Sequence, residues 1–281
     1  MLKLTVIGKD VSKSQSPALH EFLLIRMGET CTYEKLSISA QEFSERIEEV
    51  FAHYDAFNVT IPYKQTVISH LREVSAEATA LDAVNTVVCN GRKGFNTDVD
   101  GFGLMLKSEG VKLKGKRALI LGAGGAGRSC IFKLKELGAT VSVYEKDEAR
   151  LRAVFARFQG FEPLKTVPLE SYDVIVNCTG VGMHETEGQL PLIRTAAGEP
   201  PLGDELFKRC ALAVDLIYEP AQSAFLQKAK SLGGRTVNGL KMLFFQAYFS
   251  DCIYLKRAPN TAEANALFEE YKSMRVRFPR A

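Results

Sequence analysis

At 281 residues the chain is long enough for two ordinary domains, each with its own core. With 46% hydrophobic and 25% charged residues and no low-complexity tract, it has the composition of a folded globular protein rather than a disordered one. A net charge of +3 is too small to argue for nucleic acid, no apolar run approaches a membrane span, and no signal-peptide pattern opens the chain, so a cytoplasmic protein is expected.

Six cysteines (Cys31, Cys89, Cys130, Cys178, Cys210, Cys252) lie far apart without a C-x-x-C pair, which reads as reduced thiols rather than disulfides or metal ligands. Four scattered histidines with no H-x-x-x-H spacing also argue against a metal site.

The N-terminal part alternates strand and helix patterns. Leu2 to Gly8 predicts a strand and Pro17 to Met27 a helix, with Ser16 as its N-cap and Pro17 in its first turn. Cys31 to Ile38 reads as a strand, Ala40 to Ala52 as a helix, and Ala56 to Ile61 as a strand stopped by Pro62, which cannot donate to a ladder. Thr66 to Leu71 suggests a short helix. Ala83 to Cys89 and Gly94 to Thr97 read as strands joined by the hairpin signal Asn90-Gly91-Arg92-Lys93. Asp100 to Ser108 reads as a helix, and Gly110 to Gly115 as a polar link.

The next stretch, Arg117 to Leu121 followed by Gly122-Ala123-Gly124-Gly125-Ala126-Gly127, is an apolar strand entering a glycine-rich turn and then an amphipathic helix. Amides at such a helix start face an anion, and the helix dipole adds partial positive charge there. A second strand, Thr140 to Tyr144, ends in Glu145. Together these form a Rossmann-type dinucleotide-binding fingerprint, with the strand before and the helix after that it requires. Strands at Asp173–Cys178 and Leu212–Ile217 continue an alternation that predicts a parallel sheet. Gly182 to Pro201 reads as a surface loop, and the residues from Gly239 onward as two helices that pack back on the first domain.

A bound nicotinamide needs a neighbouring alcohol or carbonyl and a group that moves the hydroxyl proton. Lys64 follows the strand ending in Asn58-Val-Thr60-Ile-Pro62-Tyr63, a position where open α/β sheets place ligands. It can donate a proton in reduction and accept one in oxidation. Asp98, read as ending the strand in Asn96-Thr97-Asp98, could hold the Lys64 ammonium and a substrate hydroxyl together. Ser14 and Ser16 near a helix start form a cradle for a carboxylate, although Ser16 serves equally as an N-cap. Asn58, Thr60 and Asn85 are polar residues in or beside apolar strands, so backbone or a polyhydroxyl ligand must satisfy them.

Taken in order, these segments resemble the shikimate dehydrogenase family over nearly the whole chain. The matching pieces are Ser14-Gln-Ser16-Pro17-Ala-Leu-His20, Asn58-Val-Thr60-Ile-Pro62-Tyr-Lys64, Ala83-Val-Asn85-Thr86, Asn96-Thr-Asp98, the glycine turn, Asn177-Cys-Thr179, Asp215-Leu-Ile-Tyr218-Glu-Pro220 and Asn238-Gly239 through Gln246-Ala247. The resemblance implies an α/β protein of two domains. Residues 1–99 with 239–281 would form an N-terminal α/β substrate domain completed by C-terminal helices, and 100–238 a Rossmann-type dinucleotide domain.

The implied reaction is the reversible NAD(P)-dependent reduction of 3-dehydroshikimate to shikimate in aromatic amino-acid biosynthesis. Lys64 and Asp98 would be its catalytic pair, and Ser14 and Ser16 would take the substrate carboxylate. Thr60, Asn85 and Gln246 would take ring hydroxyls, with Tyr218 lining the site. Gly122, Ala123, Gly124, Gly125, Ala126, Gly127, Glu145, Lys146, Thr179 and Gly239 would contact the dinucleotide.

Three departures from the family stand out. Glu145-Lys146-Asp147 replaces the usual Asn-Arg-Thr whose arginine grips the NADP 2′-phosphate. An acidic residue there hydrogen-bonds a ribose hydroxyl and repels a phosphate, so NAD is expected to be favoured, with NADP not excluded. Lys13 stands where the family has histidine, and Lys241 where glycine is frequent. A quinate or dual quinate/shikimate dehydrogenase using NAD is the nearest alternative, then a non-catalytic sensor on the same scaffold. Partners are expected to be small molecules alone, with a monomer or homodimer both open.

Overall fold

The computed structural model describes residues 1–195, 198 and 201–277. They divide into two compact α/β units, one formed by residues 1–104 with the segment from 243 onward, the other by 105–242.

The first unit begins with β1 (Leu2–Gly8), α1 (Ser16–Arg26), β2 (Cys31–Ser37), α2 (Phe43–His53) and β3 (Ala56–Val59). It continues through β4 (Glu73–Val74), α3 (Ala76–Leu81), β5 (Thr86–Val88), β6 (Lys93–Phe95) and α4 (Asp98–Ser108). The sheet order is β2-β1-β3-β5-β6-β4, with β1 parallel to both its neighbours and β5 antiparallel to both β3 and β6. Residues Leu4 to Gly8 of β1 are all buried, as befits a central strand covered on both faces. On one face Phe43, Ile47 and Val50 of α2 pack with Ile7, Phe57 and Val59.

Several local expectations shift. Ser16 is not the N-cap of α1: Gln15 holds that position, its side chain making no capping bond to the helix, and Ser16 is the first helical residue. The reason is local, since the Ser14 hydroxyl already accepts from the Ser16 N–H at 3.2 Å. Helix α2 starts at Phe43 rather than Ala40, after a turn over residues 40–42 in which the Glu42 N–H donates to Ser39 Oγ at 3.4 Å and the Ser39 hydroxyl donates to the Glu42 carboxylate. Asp98 does not end a strand but opens α4. Asn96 turns the chain there, its Oδ1 accepting from Asp98 N at 3.1 Å and its Nδ2 donating to Ala83 O at 2.8 Å. The six-residue α3, capped by Ser75, is too short to leave a periodic signal.

The second unit comprises β7 (Arg117–Leu121), α5 (Gly125–Glu136), β8 (Thr140–Tyr144), α6 (Glu148–Arg157), β9 (Glu162–Leu164) and β10 (Val174–Asn177), then α7 (Asp204–Lys208), β11 (Leu212–Asp215), α8 (Ala224–Ser231) and β12 (Arg235–Asn238). Every pairing is parallel, in the order β12-β11-β10-β7-β8-β9. This is the doubly wound dinucleotide-binding arrangement, whose strand order reverses between β7 and β10. The sequence reading missed β9 and β12, which are short, polar edge strands carrying no apolar run. The expected loop from Gly182 to Pro201 holds a 3-10 turn at His184–Thr186 and bridges at Leu192–Pro201 and Thr195–Gly198; positions 196, 197, 199 and 200 lie outside the described residues.

Two helices close the chain, α9 (Leu240–Tyr254) and α10 (Thr261–Arg277). In the first unit, the Phe244 ring packs at a tilt against Phe22 of α1 and Tyr271 of α10, with centroids at 6.3 and 5.3 Å. His20 of α1 and Asp251 of α9 form a buried pair at 2.6 Å; burial raises the Asp251 carboxyl and the histidine opposes that rise. The divisions between units fall inside α4 and α9, a few residues beyond the expected 99/100 and 238/239, because both helices run on unbroken. Among the described residues no helix is long and apolar enough to cross a membrane.

Candidate active site

In the first unit the chain brings Lys64, Asp98, Asn85 and Gln246 into one cluster. Lys64 follows β3, and its Nζ lies 2.6 Å from Asp98 Oδ2, the two side chains being only 17% and 9% exposed. Asp98 stands in the first turn of α4, where the helix dipole favours a carboxylate. Its other oxygen, Oδ1, accepts from Asn85 Nδ2 at 3.0 Å. The same amide approaches Gln246 Oε1 of α9 at 3.5 Å. An ammonium held against a carboxylate in a largely buried site is equipped to pass a proton to and from a substrate oxygen.

The remaining expected substrate residues are placed separately. Ser14 Oγ donates to Ser16 Oγ at 3.1 Å, so the two hydroxyls form one half-buried pair at the start of α1. Thr60 is half-buried just past β3, its N–H bonded to Ile7 O at 2.9 Å. Lys13 is exposed, which places its charge in solvent. Tyr218 is half-buried just past β11, in the second unit.

The second unit holds the glycine turn. Gly122 has φ +95°, and a Cβ on Gly127 would stand 2.2 Å from the Gly122 carbonyl, so both positions demand glycine for backbone reasons. Gly124 caps α5, and nothing stands within 4 Å of where its Cβ would be. That open space above the start of a helix, with Gly125 and Ala126 following, fits a pyrophosphate. Thr179 closes against the turn from β10: its methyl would lie 3.0 Å from a Cβ on Gly122, while its N–H and hydroxyl donate to Asn177 Oδ1 at 3.1 and 2.6 Å. Gly239 N donates to Ile217 O at 3.1 Å, tying the end of β12 to the segment after β11. Lys241 turns to Glu109, 2.5 Å away.

Glu145 is fixed by the backbone. Its Oε2 accepts from Ala123 N at 2.9 Å and its Oε1 from Asp147 N at 3.0 Å, which buries the carboxylate at the turn, 8% exposed. Lys146 is exposed. Arg150, which the sequence reading passed over, sets its guanidinium 3.5 Å from Glu145 and 3.8 Å from Asp147. Its place in the first turn of α6, facing the acidic pair, was the available signal.

At the end of β11, Asp215 Oδ1 accepts from Ile217 N and Asn177 Nδ2, both at 3.1 Å, and Oδ2 accepts from Ser223 Oγ at 2.5 Å. Burial pushes its carboxyl up to about 6, the hydrogen bonds opposing. An acid raised in the folded state contributes stability that is complete below its unfolded value and lost as pH climbs through the folded one. The folded protein should therefore lose up to about 3 kcal/mol from this group between pH 4 and 7. Asp215→Asn should remove that loss, so denaturant midpoints of variant and wild type should diverge in the variant's favour from pH 4.5 to 7. An equal difference at both pH values would contradict the assignment.

Comparison with known proteins places these features in a family. A family model described as the shikimate dehydrogenase substrate binding domain matches residues 6–87. The chain is 39% identical over 251 residues to a protein of Thermus thermophilus named shikimate dehydrogenase (NADP(+)), covering 88% of this chain and 89% of that one. Among solved structures it resembles a chorismate mutase/shikimate 5-dehydrogenase fusion protein from Clostridium acetobutylicum at TM-score 0.84 and 30% identity, with 98% of each chain covered. It also resembles the Thermus thermophilus shikimate 5-dehydrogenase in complex with NADP(H) and shikimate, at TM-score 0.80 and 34% identity, covering 96% of this chain and 99% of that one.

Proposed function

The chain belongs to the shikimate dehydrogenase family, and from that premise we propose that it catalyses the reversible reduction of 3-dehydroshikimate to shikimate in aromatic amino-acid biosynthesis. The observation that carries the proposal in this chain is the Lys64–Asp98 pair at 2.6 Å with Asn85 bonded to its second carboxylate oxygen. In reduction the Lys64 ammonium gives its proton to the substrate oxygen; in oxidation the lysine takes it back. Asp98 holds the ammonium in place and, with Asn85 and Gln246, accepts and donates hydrogen bonds to ring hydroxyls. Ser14 and Ser16 hold the carboxylate. The nicotinamide dinucleotide, when bound, supplies or accepts the hydride.

The glycine turn and Thr179 of the second unit fit the dinucleotide. Relatives in this family carry NADP(+) in their names, and the cofactor class NAD(P) follows from membership. We propose that this chain favours NAD, because the buried Glu145 carboxylate occupies the place beside the turn where an added phosphate would meet like charge. A cytoplasmic enzyme fits this reading, since all six cysteines are free thiols.

Steady-state oxidation of shikimate and of quinate, each with NAD and with NADP, tests the proposal. Higher kcat/KM for shikimate is the expected result. Preference for quinate would move the protein to the quinate dehydrogenase reading, and no turnover of either acid would reject a dehydrogenase of this class.

A further inference from the structure

Behind the substrate-facing residues of the first unit lies a buried cluster of hydroxyls that the proposed chemistry does not use. Thr86 of β5, Thr97 just before α4 and Ser250 of α9 are each no more than 1% exposed. Ser250 Oγ lies 2.8 Å from Thr86 Oγ and 3.0 Å from Thr97 Oγ. A hydroxyl has one proton and two lone pairs, and the proton of Ser250 goes to the Gln246 carbonyl, 2.9 Å away on the preceding turn of α9. Toward the two threonines Ser250 then has its lone pairs to offer, as it does toward Asn58 Nδ2 at 3.3 Å.

Thr97 Oγ also accepts from Asn85 Nδ2 at 3.1 Å. Asn85 Oδ1 accepts from the Thr97 backbone N–H at 2.8 Å, leaving the second Nδ2 proton for Asp98 Oδ1 at 3.0 Å. Asn58 Nδ2 donates to the Asn85 carbonyl at 3.2 Å and reaches Thr86 Oγ at 3.4 Å, closing the cluster on the β3 side. Thr86 Oγ and Thr97 Oγ also reach Asn85 Oδ1, at 2.9 and 3.2 Å, so both threonine hydroxyls stand between Ser250 and the Asn85 amide.

We infer that Ser250, on the C-terminal helix, is a positioning residue for the substrate site: bonded to both Thr86 and Thr97, whose hydroxyls contact the Asn85 amide, it holds that amide in place beside Asp98 and ties it to the helix that bears Gln246. The inference rests on the reading that Asn85 and Gln246 receive the substrate's ring hydroxyls. Its structural half, the orientation of Asn85, stands on the hydrogen bonds alone.

The test joins kinetics to a readout that needs no substrate. Ser250→Ala deletes one oxygen and cannot overpack, so a folded variant is expected; Ser250→Thr keeps the acceptor, and Ser250→Cys fills the volume with a weak one. The Ala and Cys variants should raise KM for shikimate about tenfold with a smaller change in kcat, and Thr should restore it. In an Asn85→Ala background, Ser250→Ala should change KM by less than about twofold, since the coupling runs through the amide. In nitrogen-edited spectra of the free protein, the Asn85 side-chain protons should exchange about tenfold faster in Ser250→Ala than in wild type. Equal KM effects in both backgrounds, or unchanged KM and unchanged exchange with only a lower melting temperature, would make Ser250 a structural residue and overturn the inference. Should the wild type fail to oxidise shikimate, the functional reading falls, and the exchange measurement alone decides whether Ser250 orients Asn85.

Discussion

Lys64→Ala should lower kcat for shikimate oxidation by about 10²- to 10⁴-fold, the range a positioned proton-transfer group contributes. The ammonium stands 2.6 Å from Asp98 and is mostly shielded from water, so bulk solvent substitutes poorly for it. Lys64→Arg should not rescue the rate, because a guanidinium keeps its proton throughout the accessible pH range and cannot take one from the substrate. Affinity for the dinucleotide, measured by titration without substrate, should be unchanged, since the glycine turn belongs to the other unit. A melting curve separates catalytic loss from unfolding, because removing one member of a largely buried pair also destabilises the protein. A rate within tenfold of wild type, from a folded variant, would take Lys64 out of the chemistry.

The second large effect concerns the cofactor. Glu145→Ser combined with Lys146→Arg should raise the NADP-to-NAD ratio of kcat/KM by about a hundredfold or more. The change removes a buried like charge, worth several kcal/mol against a phosphate, and supplies a planar fork that grips one. It also releases Arg150 from Glu145, 3.5 Å away, and so frees a second guanidinium near the same place. The double variant gives up the acceptor for Ala123 N, and a modest loss of stability is expected with it. If the wild type already favours NADP more than tenfold, the Glu145 reading is wrong and Arg150 with Lys146 governs the pocket instead.

Much of this protein could be read in one dimension. The strand Arg117–Leu121, the glycines after it and the strand Thr140–Tyr144 specify a dinucleotide unit, because tight turns, close backbone approach and buried parallel strands each demand particular residue types at short spacing. The antiparallel hairpin near Asn90-Gly91 and the two terminal helices were legible for the same reason: turn chemistry and helical period are local. Edge strands β9 and β12 and the short α3 were not, since an edge needs no apolar run and a six-residue helix shows hardly more than one period.

The candidate site divides along the same line. The sequence by itself pointed to Lys64, Asp98 and Asn85 as chemistry-bearing residues and to Glu145 as the group facing the cofactor, and the family resemblance added Gln246. Only the tertiary structure decided which atoms meet. It put Asp98 at a helix start rather than a strand end, turned Lys241 onto Glu109 and joined Asn85 to Asp98. It also brought Ser250, 153 residues from Thr97, into the hydroxyl cluster. Hydrogen-bond direction depends on every neighbour a proton could reach, and those neighbours arrive from β3, β5, α4 and α9 only when the chain has closed on itself.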